Sequence, residues 1–182
     1  MNYEERINEL LKENLSEQAF TLWYLMNKEF GDIWKKPTSS TGKYHQKEDG
    51  RVPNVAEHTF EMLFAASKII DLFGYSHKSK ETDSVYLSIA LHDCLKYGEN
   101  CDRQHTANDH DRLVGNMILT NKKVFLKFLS EENFKTLQEA CRYHTGRWST
   151  DANASFDFNN MKKETLFIHT LDMLSSKNVL KI

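Results

Sequence analysis

The sequence predicts an all-α protein, and three observations carry that prediction. Apolar residues recur at helical spacing in nearly every run, prolines number two and glycines seven in 182 residues, and clusters of turn-forming residues are few. Proline and glycine punctuate regular structure most strongly, so their scarcity leaves long stretches for helices. The 3.6-residue period of the apolar positions sets the type. At this length one domain with its own core is expected, spanning residues 1–182.

Taken in order, helices are predicted over residues 4–15 and 17–30. Ile7, Leu10, Leu11 and Leu15 share a face of the first, and Phe20, Trp23, Tyr24 and Phe30 crowd the second. Residues 1–36 are expected to pack on the bundle rather than to bind anything. Between Trp34 and Val52 the period stops in a stretch of Pro, Ser, Thr, Gly and charge. A loop that long is of functional size, and residues 37–52 are a candidate active-site lid. Pro53 suits the first turn of a helix reaching Phe73, on which His58, Met62, Ala65, Ile69 and Phe73 form a core-facing stripe. The next helix is predicted over residues 82–97, closed by Gly98 in the left-handed region. Another follows from Asn108 to Thr120. Ser130 with Glu131 and Glu132 has the chemistry of a helix start. That helix runs to His144, ends at Gly146 and carries Phe134, Leu137, Cys141 and His144 on one face. The last, residues 161–176, aligns Ile168, Leu171, Asp172 and Ser175.

Composition excludes several classes. A net charge of −2, with 27% charged residues, gives no general footprint for nucleic acid. No run reaches the roughly 18 apolar residues of a membrane span, and the N-terminus "MNYEERINELLKEN" is acidic and amphipathic rather than signal-like. A cytoplasmic protein is expected. Cys94, Cys101 and Cys141 are odd in number and form no CxxC pair, which indicates neither a disulfide framework nor a thiolate zinc site.

Four predicted helices each place a histidine or aspartate on or beside an apolar face: His58, the adjacent His92-Asp93, His144 and Asp172. Buried polar groups need partners, and a divalent metal partners all of these at once. Imidazole and carboxylate without thiolate suit zinc, manganese, iron or nickel. Lys96 lies four residues after His92 and three after Asp93, which on a helix puts its ammonium on the same face as such a metal.

The order His58, then His92-Asp93, then Asp172 resembles the HD-domain superfamily of metal-dependent phosphohydrolases. "HDCLKYG" looks like its HDxxK variant, "HDRLVGNMI" like a segment supplying a second-site ligand, "CRYHTGRW" like its H-x-G-x-W segment and "HTLDMLSSK" like its closing D-x-x-A-S. The loop "GKYH" is similar to a stretch in one bacterial and phage subset. The resemblance implies an HD-domain helical bundle and one or two divalent ions (Mn, Fe, Zn, Co, Ni or Mg). The first would be held by His58, His92, Asp93 and Asp172. A second, bridged by Asp93, would use His144 and one of His110, Asp111 or His105. The family's spacing to the following glycine falls on Asp111, whereas the ligand order favours His110.

The implied reaction is hydrolysis of a phosphoester in a nucleotide or related small metabolite, with Asp93 and Lys96 catalytic. Lys43, His45, Arg112, Arg147 and Trp148 are candidates for substrate contact, guanidinium and ammonium for phosphate and indole for base. Two other readings share the ligands: an HD-fold di-iron oxygenase and a non-catalytic nucleotide-binding regulator. Oligomeric state is not written in the sequence.

Overall fold

The computed structural model describes residues 2–42, 45–150, 161–177 and 179–180. Their regular structure is helical: α1 Tyr3–Asn14, α2 Glu17–Asn27, α3 Val55–Ile69, α4 Lys80–Leu91, α5 His110–Thr120, α6 Lys122–Phe125, α7 Glu131–Tyr143 and α8 Lys163–Ser176. Three 3-10 segments join them, at Gly31–Lys35, Ile70–Phe73 and Gly146–Trp148. Among the described residues the only extended pairing is an isolated bridge between Pro37 and Asn54.

Side chains that compete for backbone groups set the helix starts. Asn2 and Glu5 close a capping box on α1. Ser16 caps α2 while its N–H and hydroxyl both donate to Asp83 on α4, at 2.8 and 2.6 Å. Asn54, not Pro53, starts α3 by accepting from the Glu57 N–H at 2.8 Å. Pro53 stands outside the helix, its carbonyl taken by the N–H and hydroxyl of Thr38. The start expected at Asn108 falls at His110, because the Asp109 carboxylate is held by Arg103 and Arg112 at 3.1 and 2.9 Å and caps nothing.

Three further expectations are corrected. The helix expected to run to Tyr97 stops at Leu91, and residues 92–98 continue as i to i+3 turns, with Cys94 N–H to Leu91 O, Lys96 N–H to Asp93 O and Gly98 N–H to Leu95 O. Gly98 does take the left-handed conformation, φ 86°. The stripe drawn from His58 to Phe73 leaves the core halfway, since Ala65 and Ile69 are half-buried and Phe73 is exposed. Helix α2 ends at Asn27, and Tyr24 on it faces solvent.

Helices α3 and α4 form the centre. Every residue from Val55 to Leu63 and from Thr82 to Leu91 is buried, so these stretches of the two helices are covered on all sides. Helix α1 packs on α3, and α7 packs on α4, α5 and α8. Side chains of α1 and α2, among them Ile7, Leu11 and Trp23, join the same core as Leu137 of α7 and Ile168 of α8. No helix among the described residues is long and apolar enough to cross a membrane.

Candidate metal centre

Five elements converge where α4 and α7 end. His92 is the C-cap residue of α4 and His144 that of α7. The last turn of a helix leaves carbonyls without intrahelical partners, and here the caps' own rings take one each. His92 Nδ1 donates to Ile89 O at 2.7 Å and His144 Nδ1 to Cys141 O at 2.7 Å. His110, the first residue of α5, does the same to Ala107 O at 2.8 Å. His58, near the start of α3, donates from Nδ1 to Ser175 Oγ at 2.8 Å, and the Ser175 hydroxyl in turn donates to Glu61 Oε2 at 2.9 Å. In its neutral form an imidazole has one N–H, so with Nδ1 donating each of these rings presents a bare Nε2 lone pair inward.

Those lone pairs face each other in two pairs. His58 and His92 have their Nε2 atoms 3.2 Å apart, and His110 and His144 also 3.2 Å. Asp93 lies between the pairs. Its Oδ2 is 3.5 Å from His92 Nε2 and 3.8 Å from His58 Nε2, and its Oδ1 is 3.2 Å from His110 Nε2 and 3.8 Å from His144 Nε2. Asp172 Oδ1 joins the first group 3.3 Å from His58 Nε2. Donor atoms about 2.1 Å from a shared tetrahedral or octahedral ion stand about 3–3.4 Å apart, close to these separations. Buried Oδ1 of Asp93 makes no hydrogen bond despite its 3.2 Å approach to His110. Facing lone pairs and an unpaired buried carboxylate oxygen need a cation between them, and the donor set fits one at each pair. His58, His92 and Asp93 form one such group and Asp93, His110 and His144 the other. The C-terminal dipole ends of α4 and α7 favour positive charge at the same place.

The electrostatics agree. Burial pushes His144 down to about 3, with His92 and His110 adding to the effect, and burial likewise lowers His92. Burial alone would raise Asp93, but the Lys96 ammonium, 2.5 Å from Oδ2, holds it well below the usual carboxylate range. Burial pushes the Cys94 and Cys141 thiols up, and neither belongs to the donor groups.

A cavity of about 570 Å³ opens over the centre, lined among others by His45, Lys96, His110, Trp148 and Asp172. Of the substrate-contact candidates, His45 and Trp148 are therefore on its wall. His45 has φ 60°, packs its ring edge-on against His58 at 4.6 Å and is pushed down to about 2, mainly by burial, with His58 and Lys96 adding. Arg112 and Arg147 do not line the cavity: the first is bound to Asp109 and the second lies over the Trp148 ring at 4.5 Å. Lys43, with Tyr44, lies outside the described residues. The choice among second-group candidates is geometric. His110 points at Asp93, whereas Asp111 is fully buried and accepts from Thr145 Oγ1 at 2.5 Å and the Arg112 N–H at 2.7 Å. His105 is exposed on a neighbouring surface pocket. Sequence reasoning gave no role to Glu61 or Ser175, which stand behind His58; a glutamate on a helix and a serine near a helix end carry no signal of that task.

The all-α bundle thus gathers a largely buried His/His-Asp/His/His/Asp set that could hold metal ions. The family model "HD domain" matches residues 55–176, which is 122 of 182 residues, and the chain belongs to the HD-domain family. The match starts at the first residue of α3 and stops at the last of α8, enclosing every donor named above. No curated protein and no solved structure matches the chain.

Proposed function

We propose that this HD-domain protein is a metal-dependent phosphohydrolase that cleaves a phosphoester bond of a nucleotide or a related small phosphorylated metabolite. His58, His92, Asp93 and Asp172 would hold one divalent cation, and Asp93, His110 and His144 a second. One observation carries the reading: Asp93 turns each carboxylate oxygen toward a different pair of imidazole lone pairs. Cations so held activate water near neutral pH and take up charge on phosphoryl oxygens.

The remaining work falls to the chain. Lys96 stands on the cavity wall with its ammonium fixed by Asp93, where it meets a non-bridging phosphate oxygen. His45, neutral and with Nδ1 unpaired among the described residues, offers a further contact beside it. Trp148, half-exposed at the rim, gives a base a stacking face, which supports a nucleotide over a smaller phosphate. Thr38, Ser39, Thr41, Thr106 and Asn108 line the same space with polar groups, and about 570 Å³ is of the size that takes a small ligand. The packing of α1 and α2 into the common core supports reading residues 1–182 as one domain.

The test is release of phosphate or nucleoside from a broad nucleotide panel with added Mn²⁺, with Asp93→Asn in parallel. Release by wild type alone is expected. Equal release by both proteins, or silence of metal-loaded wild type combined with dioxygen uptake by the iron-loaded form, overturns the hydrolase.

A further inference from the structure

We infer that Glu61 is a positioning residue that, through Ser175, fixes the metal-binding tautomer of His58, and that Lys47 ties this chain to the loop at residues 37–52. The inference rests on the metal-centre reading above. His92, His110 and His144 donate from Nδ1 to backbone carbonyls, which can only accept, so their tautomers are decided locally. His58 differs. Its partner is the Ser175 hydroxyl, which can donate or accept.

Left alone, that hydroxyl permits a second arrangement. Ser175 would donate to His58 Nδ1, the ring proton would sit on Nε2, and that N–H would find His92 Nε2 at 3.2 Å as a ready acceptor. The lone pair needed for a cation would then be occupied by hydrogen. Glu61 removes the choice: its Oε2 accepts the only proton Ser175 has, at 2.9 Å, so the hydroxyl turns a lone pair to His58. Such outer partners of ligating histidines commonly change metal affinity 10–100-fold when lost.

Lys47 holds the other end, its ammonium paired with Glu61 Oε1 in a contact that is largely buried on both sides. The loop is fastened near the same point by His45, whose N–H donates to Ser176 O at 3.2 Å and whose ring packs on His58.

Glu61→Gln tests this without changing shape. Lys47 requires an oxygen, so the amide NH₂ turns to Ser175, Ser175 donates to His58 Nδ1, and the tautomer flips. Lys47→Met in addition frees the amide to turn back, so the double variant is the rescue. Zn²⁺ binding to the full chain, with His144→Ala assigning the two steps, reads the affinity. Imidazole ¹⁵N shifts of His58 in metal-free protein read the tautomer directly. Glu61→Gln is expected to weaken the first position 10–100-fold, leave the second unchanged and move the His58 proton to Nε2, and the double variant to reverse both. A bare Nε2 in Glu61→Gln, or equal weakening at both positions, overturns the inference. Wild type that binds no Zn²⁺ overturns the metal-centre reading instead, and the metal-free tautomer still decides the role of Glu61.

Discussion

Replacing Gly115 by alanine puts two opposing effects against each other. Gly115 lies buried in the middle of α5, and a Cβ built there comes 2.7 Å from Arg142 Cβ and 3.2 Å from Arg142 Cα on α7. Ordinary carbon contacts begin near 3.5 Å, so α7 must retreat, because neither Arg142 atom can be moved by a change of rotamer. Alanine in a helix is worth about 1 kcal/mol over glycine, whereas forcing a methyl into a filled site costs about 1–3 kcal/mol. With two backbone-fixed atoms in the way the upper part of that range applies, leaving a net loss of about 1–2 kcal/mol. For a chain of this size that lowers Tm by about 2–8 °C. Arg142 stands two residues before His144, so the same retreat opens the 3.2 Å His110–His144 pair. Thermal unfolding of chelated protein and metal counting of reconstituted protein are the assays. A raised Tm with full metal content, the outcome of helix propensity acting alone, refutes the close approach of α5 and α7.

Other predictions concern the site itself. Lys96→Ala should lower kcat by about 10²–10³ with metal content retained; unchanged kinetics would return Lys96 to a structural partner of Asp93. His144→Ala should bind one equivalent of metal fewer than wild type by elemental analysis, and an unchanged count would remove the second position. Metal-free protein should lose stability on acidification. His45 and His144 are depressed to about 2 and about 3 by burial, below the roughly 6.5 of the unfolded chain, so between those values the unfolded state binds more protons and stability rises with pH. From pH 7 to pH 5 the pair should cost about 4 kcal/mol, read as a fall in the urea midpoint. A flat midpoint would mean that these imidazoles are not buried as neutral rings.

The all-α class and most helices were legible because the apolar period is set by burial itself, and the cap at Ser130 follows from side-chain chemistry that needs no tertiary partner. Boundaries were less so. Nothing in "HDCLKYG" distinguishes a helix from successive i to i+3 turns, since Leu95 and Lys96 are buried in either case. The candidate donors His58, His92, Asp93, His144 and Asp172 could be singled out because each lies on or beside an apolar face. His110 stood ahead of Asp111 in the sequence without a geometric ground, because adjacent residues on a helix point about 100° apart and only the packing of α5 on α7 sets which one meets Asp93. The chain from Lys47 through Glu61 and Ser175 to His58 joins residues more than 110 positions apart, and its meaning lies in hydrogen-bond directions.

The claim at the centre is that one carboxylate serves two cations. Elemental analysis of purified, Mn²⁺-reconstituted wild type beside Asp93→Asn tests it directly. Two equivalents per chain in wild type and at most one, weakly held, in the variant is the expected result. Two tightly held equivalents in both proteins, or a single equivalent in wild type, contradicts it.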